Sequence, residues 1–160
     1  MDALDAQTKQ LIKPLEDVYA KAPSLPAGVK DFIVMVAPWV AVILGVLSVL
    51  GFAVSLLGFG ALGVLAPLAG SAATVSLAGF GLITTVLGLA SGVLLLLAFR
   101  PLQKRALSGW NLMFWVLVLG LISTAVGNTL FYFSVVGLVM AVVWFLIELY
   151  FLFKVKSSYK

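Results

Sequence analysis

Long runs of apolar residues, separated by short clusters of charge, form the main pattern of this 160-residue chain. Residues 32–99 carry no formal charge, and neither do residues 106–147. A membrane-spanning helix needs about 20 apolar residues to cross the roughly 30 Å of hydrocarbon in a bilayer. Each charge-free run is therefore long enough for two such helices and the connection between them.

The pattern predicts an all-α integral membrane protein with four transmembrane helices in an up-down bundle. Continuous apolar stretches such as residues 93–97 favour helices, because the strands of a membrane β-barrel alternate apolar and polar positions. Residues 1–31 are predicted to form a cytoplasmic N-terminal segment that contains a short amphipathic helix, and residues 154–160 a basic cytoplasmic tail. The transmembrane domain covers residues 32–153, with spans predicted at about 32–57, 76–99, 110–126 and 130–153.

Charged residues, prolines and glycine indicate where the helices begin and end. Asp31 can cap a helix that starts at Phe32, and Pro38 predicts either a kink in that helix or its true start. The pair Arg100–Pro101 predicts the end of the second span, because proline cannot continue a regular helix. Residues 127–129 predict a tight turn, because Gly and Asn tolerate positive φ.

The composition excludes several classes of protein. Apolar residues make up 63% of the chain and charged residues 10%, which leaves too few charges to cover the surface of a soluble domain. The chain has no Cys and no His, so Cys-based metal sites, His-liganded haem and serine–histidine catalysis are excluded. We therefore expect no enzyme, no catalytic residue, no cofactor, no metal site and no nucleic-acid partner.

The basic residues predict the orientation of the chain in the bilayer. In a four-span arrangement all ten Lys and Arg lie on one side, whereas the opposite connections, 58–75 and 127–129, carry none. Positive charge marks the cytoplasmic face, so both termini should be cytoplasmic. The chain resembles small four-span bacterial membrane proteins in general plan, which implies a bacterial cytoplasmic membrane. Aromatic residues near the basic boundary fit an interfacial belt: Trp39, Trp110, Trp115 and Tyr150.

The N-terminal segment has an apolar face at helical spacing, formed by Leu4, Leu11, Leu15 and Val18. In addition to disorder, two interpretations of this segment stay open. The helix lies on the membrane surface, or it docks on a partner protein or a second copy of the chain.

The connection 58–75 is apolar and rich in glycine, although a water-exposed loop is normally polar. It predicts a re-entrant loop that dips into the membrane, a loop among the lipid headgroups, or extra turns on the first two helices.

Small residues in the second span predict close helix packing. Gly81, Thr85, Gly88 and Gly92 share one side of the helix and include a GxxxG motif, which lets two backbones approach. The partner is either another span of the chain or a second copy.

Glu148 is the one ionisable residue within a predicted span. It lies six residues before Lys154, about 9 Å along a helix, so it can reach the cytoplasmic interface. We predict an interfacial ion pair with Arg100, Lys104 or Arg105; proton or cation coupling is the alternative.

Two classes of function fit these observations. The first is a non-catalytic subunit, assembly factor or scaffold that acts through helix packing. The second is a small oligomeric channel or transporter. The lipid bilayer is a partner in both, together with further copies of the chain or another membrane protein.

Overall fold

The computed structural model describes residues 12–65, 72–127 and 134–160, and this part of the chain is all-helical, as predicted. Residues 12–20 form helix α1. The four long helices that follow are α2 (Ala27–Leu65), α3 (Ala72–Gln103), α4 (Leu107–Gly127) and α5 (Val135–Val155), and a 3₁₀ turn over Lys156–Ser158 follows α5. These four helices are long and apolar enough to cross a membrane, which confirms the predicted number.

Helix α2 begins earlier than the charge pattern predicted. Its first amides, those of Val29 and Lys30, donate to the carbonyl of Pro26, so Asp31 lies inside the helix and does not cap it. Pro38 also lies inside, and α2 is continuous through it. The helix therefore does not begin at Pro38. A proline removes only one backbone hydrogen bond, and the turns on either side keep theirs.

Helix α3 continues past the predicted end at Phe99 and reaches Gln103. Pro101 lacks an amide, but the amides of Lys104 and Ala106 still donate to the carbonyls of Arg100 and Pro101. These bonds close the end of α3 into a tight connection in which Arg105 has a φ of 53°.

The apolar connection is largely helical where the structure describes it. Residues 58–65 are the last turns of α2, and residues 72–75 are the first turn of α3. The prediction of extra turns on the first two helices accounts for both parts. Residues 66–71 lie outside the described residues. With 39 residues, α2 is about 58 Å long, roughly twice the thickness of the hydrocarbon core.

The connection between α4 and α5 is described in part. Helix α4 ends at Gly127, and α5 begins at Val135, five residues later than the predicted start at 130. Ser134 caps α5, because its side chain accepts a hydrogen bond of 3.0 Å from the amide of Gly137. The predicted turn at 127–129 and the predicted first residues of the fourth span fall mainly outside the described residues.

The helices pack in chain order, with α2 on α3, α3 on α4 and α4 on α5, and α5 makes only slight contact with α2. The core lies towards the end of the molecule where α1, the α3–α4 connection and the C-terminus meet. We call this end, comprising residues 12–26, 104–107 and 152–160, the charged end. Large buried side chains at or next to this end include Leu102, Trp110, Phe114, Leu149 and Phe153.

Candidate functional site

The predicted small-residue face forms a close helix crossing at one of its four positions. A Cβ built on Gly92 would lie 2.7 Å from the Ser48 Cβ and 3.3 Å from the Gly45 carbonyl oxygen. A Cβ built on Gly45 would lie 2.9 Å from the side chain of Leu96. Helices α2 and α3 therefore cross with their backbones nearly in contact, and the partner of Gly92 is another span of the same chain.

The rest of that face lies at or near a cavity of about 310 Å³ between α2 and α3. A Cβ built on Gly88 would meet no atom within 4 Å, so this glycine is not needed for close approach. Thr85 and Gly88 line the cavity, and Gly81 is buried one turn farther along α3. Hydroxyl-bearing residues collect around this cavity: Ser48, Ser55, Thr84 and Thr85.

Hydroxyl groups within the spans bond back to their own helices. Thr84, Ser91 and Thr124 donate to the carbonyls of Gly81, Leu87 and Gly120 at 2.8–3.0 Å. Such bonds satisfy a hydroxyl group inside an apolar medium at little cost.

Helix α1 docks on the chain's own α5, a contact that the pattern of residues 1–31 did not predict. The Lys154 ammonium donates to the carbonyls of Tyr19 (2.8 Å) and Ala22 (2.6 Å), at the end of α1. A cation suits this position, because the last carbonyls of a helix lack partners within it. The Tyr150 hydroxyl donates to the Pro23 carbonyl at 2.8 Å, and Lys156 forms an ion pair with Glu16.

The face of α1 that packs inward differs from the predicted one. Ile12 is buried and Leu15 and Tyr19 are half-buried, whereas Val18, which the prediction placed on the apolar face, is 65% exposed. The spacing 12, 15, 19 marks a helical face rotated from the predicted one, and it includes Tyr19, which the prediction did not name. The hydroxyl of Tyr19 donates to the Leu146 carbonyl at 3.0 Å, and burial raises the pKa of this phenol.

Aromatic rings stack beneath α1. The ring of Phe153 lies parallel to Tyr19, with centroids 5.2 Å apart, and meets the edge of Trp110 at 5.3 Å. Trp110 is completely buried, and its indole N–H donates to the Leu152 carbonyl at 2.8 Å. Its predicted place in a lipid-facing aromatic belt is therefore wrong. Trp39, by contrast, is exposed.

The α3–α4 connection is tied to the C-terminus by two backbone bonds. The amide of Lys160 donates to the Arg105 carbonyl, and the amide of Leu107 donates to the Lys160 carbonyl, both at 2.8 Å. Tyr159 is buried beside them; burial raises the pKa of its phenol, and the charge of Arg105 partly offsets this shift. The second basic cluster of the sequence (Arg100, Lys104 and Arg105) and the third (Lys154, Lys156 and Lys160) therefore meet at the charged end.

Glu148 does not form the predicted ion pair. Within the described part of the chain, the pair of opposite charges closer than 4.0 Å is Lys156 with Glu16, so neither Arg100, Lys104 nor Arg105 reaches the Glu148 carboxylate. Glu148 is half-buried, and Trp144, one helical turn earlier, hydrogen-bonds to its side chain. Trp144 itself is 63% exposed at a depth where the helix is apolar.

Two cavities border Glu148. One, of about 430 Å³, lies among α2, α3, α4 and α5 and has apolar walls. The other, of about 410 Å³, follows the seam between α4 and α5 away from the charged end. Among the described residues, no group of three Asp, Glu, His or Cys is placed to hold a metal ion.

Comparisons of this chain with protein-family models, curated proteins and solved structures find no match.

The docking of α1 gives a direct prediction. We expect Lys154→Met to free residues 12–26, because each bond from a charged donor contributes about 1.5–3 kcal/mol. Hydrogen exchange of the amides in α1 should become faster by about tenfold or more. Lys160→Met is the matched control, because that side chain is exposed and the backbone bonds of the residue remain. Equal exchange in both variants would show that Lys154 does not hold α1.

Proposed function

We propose that this protein spans the membrane four times, in an up-down arrangement with both termini cytoplasmic, and acts without catalysis as a subunit, assembly factor or scaffold. Its action depends on the packing of its helices against other membrane helices. The convergence of the second and third basic clusters at the charged end supports this orientation, because positive charge is retained on the cytoplasmic side.

The uneven attachment of α5 carries the proposal. Leu149, Phe153 and Val155, in its second half, are buried in the core. Residues 135–147 of α5 expose large apolar side chains around most of the helix: Val135, Val136, Val139, Met140, Val142, Val143, Trp144, Leu146 and Ile147. Helices associate within a bilayer through close van der Waals packing, so a half-attached helix offers its free half to a neighbour.

Native mass in lipid nanodiscs and mild detergent tests this proposal. We expect an assembly larger than one chain, either of identical copies or with a partner. Val139→Trp should reduce the association constant of the assembly by about tenfold, which corresponds to about 1.4 kcal/mol of lost packing. Leu50→Trp is the matched control, because Leu50 is exposed to the same degree on α2. A monomeric wild type, or equal effects of both substitutions, would contradict the proposal.

A small oligomeric channel or transporter is the second candidate, and the position of Glu148 favours it. An acidic side chain within a spanning helix and beside cavities is a typical feature of ion and proton pathways.

Flux measurements separate the two candidates. Under the scaffold proposal, liposomes that contain the purified protein should show the same proton and cation flux as liposomes without protein. The variant Glu148→Gln should behave like the wild type. If the wild type supported a flux and Glu148→Gln abolished it, the channel or transporter would become the preferred function.

A further inference from the structure

The carboxylate of Glu148 lies where two cavities meet. The larger cavity extends from Glu148 towards the charged end, where Trp110 and Tyr159 line it. The other extends along α4 and α5 in the opposite direction, where Thr124 and Gly137 line it. Glu148 and Gly120 belong to the lining of both cavities.

Gly120 also lies at this junction. It lies on α4 across from Glu148, and a Cβ built on it would meet no atom within 4 Å. Unlike Gly92, it is therefore not required for close helix packing. Gly120 is exposed and lines both cavities, so a larger side chain at this position would take up space in them.

The walls of the larger cavity limit what Glu148 can bind. The lining is almost entirely apolar, and Glu148 is the one charged residue in it among the described residues. Divalent cations and other hydrated metal ions need several oxygen ligands, which this wall does not supply. A carboxylate in apolar surroundings is best satisfied by a donor that carries positive charge.

We propose that Glu148 binds an organic ammonium ion whose apolar body fills the cavity of about 430 Å³. That volume lies within the range of small-molecule sites, about 300–1,000 Å³. The ammonium group donates a charge-assisted hydrogen bond to the carboxylate, and the apolar body contacts side chains such as Met113 and Leu117. The proposal goes beyond the scaffold function and does not depend on it, because binding requires neither transport nor a partner.

Equilibrium binding in zwitterionic nanodiscs tests the role of the charge, with empty nanodiscs as the reference for partitioning into lipid. The probes are naphthylmethylammonium and its neutral analogue naphthylmethanol. We expect wild type to prefer the ammonium by about tenfold or more, and Glu148→Gln to lose the preference. Asp31→Asn removes one exposed carboxylate elsewhere and should keep it. Equal binding of both probes by wild type, or no binding above empty nanodiscs, would overturn the proposal.

A second pair of variants tests the cavity and keeps the carboxylate. Gly120→Leu should fill the junction and weaken binding of the ammonium by about tenfold. Gly51→Leu adds the same side chain to α2, where a Cβ also meets no atom within 4 Å, and should leave binding unchanged. Unchanged binding in Gly120→Leu would contradict the placement of the ligand. These variants also decide the question if Glu148→Gln does not fold.

Discussion

Replacing Gly109 by alanine should destabilise the protein by about 3 kcal/mol, the upper part of the range for side chains forced into a packed site. A Cβ on Gly109 would lie 2.8 Å from the amide nitrogen of Leu102 and 2.9 Å from the carbonyl carbon of Pro101. Both atoms belong to the backbone, so no change of rotamer relieves the contact. The α3–α4 connection would have to open, together with its backbone bonds to Lys160.

Gly120→Ala is the matched control for this prediction. It places the same methyl group on the same helix in open space, and alanine favours a helix over glycine by up to about 1 kcal/mol. Reversible unfolding in detergent micelles can be followed by far-ultraviolet circular dichroism. Relative to wild type, the free energy of unfolding should fall for Gly109→Ala and rise for Gly120→Ala. Similar changes in the free energy of unfolding for both variants would show that Gly109 is not packed against the preceding connection.

Replacing Gly92 by alanine should separate α2 from α3 at their crossing, at a cost of about 2 kcal/mol. The added Cβ would lie 2.7 Å from the Cβ of Ser48, an atom fixed to the backbone of α2. Gly45→Ala should cost less, because its nearest neighbour is the side chain of Leu96, at 2.9 Å, which can move more easily than a Cβ, and the carbonyl oxygen of Gly92 lies farther away, at 3.1 Å. The same unfolding measurement should rank Gly92→Ala below Gly45→Ala in stability.

Gly88→Ala separates packing from propensity, because Gly88 lies one turn from Gly92 on the same helix and faces open space. It should be neutral or slightly stabilising. The double variant Ser48→Gly with Gly92→Ala should recover part of the lost stability, since it removes the clashing atom. Equal destabilisation by Gly88→Ala and Gly92→Ala, with no recovery, would refute the crossing at Gly92.

The hydropathy pattern was sufficient to predict the four long helices, because the cost of placing charges in hydrocarbon leaves few alternatives for runs of this length. It could not predict where α2 and α3 end. Residues 58–75 carry no charge that would mark a boundary, and a helix continues wherever its backbone bonds can form. Pro101 was taken as a stop, but the bonds around it persist.

Contacts between distant residues were beyond the sequence pattern. The motif that contains Gly88 and Gly92 gives both glycines equal weight, and only the position of α2 shows that Gly92 makes the contact. The prediction of an ion pair for Glu148 rested on a distance along one helix. That distance does not show which side of α5 faces the neighbouring helices. The pairing of Lys154 with the end of α1 joins residues more than 130 positions apart, and no local pattern marks it.

The central claim is that the chain crosses the membrane four times with both termini on one side. Because the chain has no cysteine, single cysteines at Ala69 and Lys160 can report this directly. A membrane-impermeant maleimide should label Lys160→Cys in inside-out vesicles and Ala69→Cys in right-side-out vesicles, and neither in the opposite preparation. Labelling of both positions from the same side would contradict the claim.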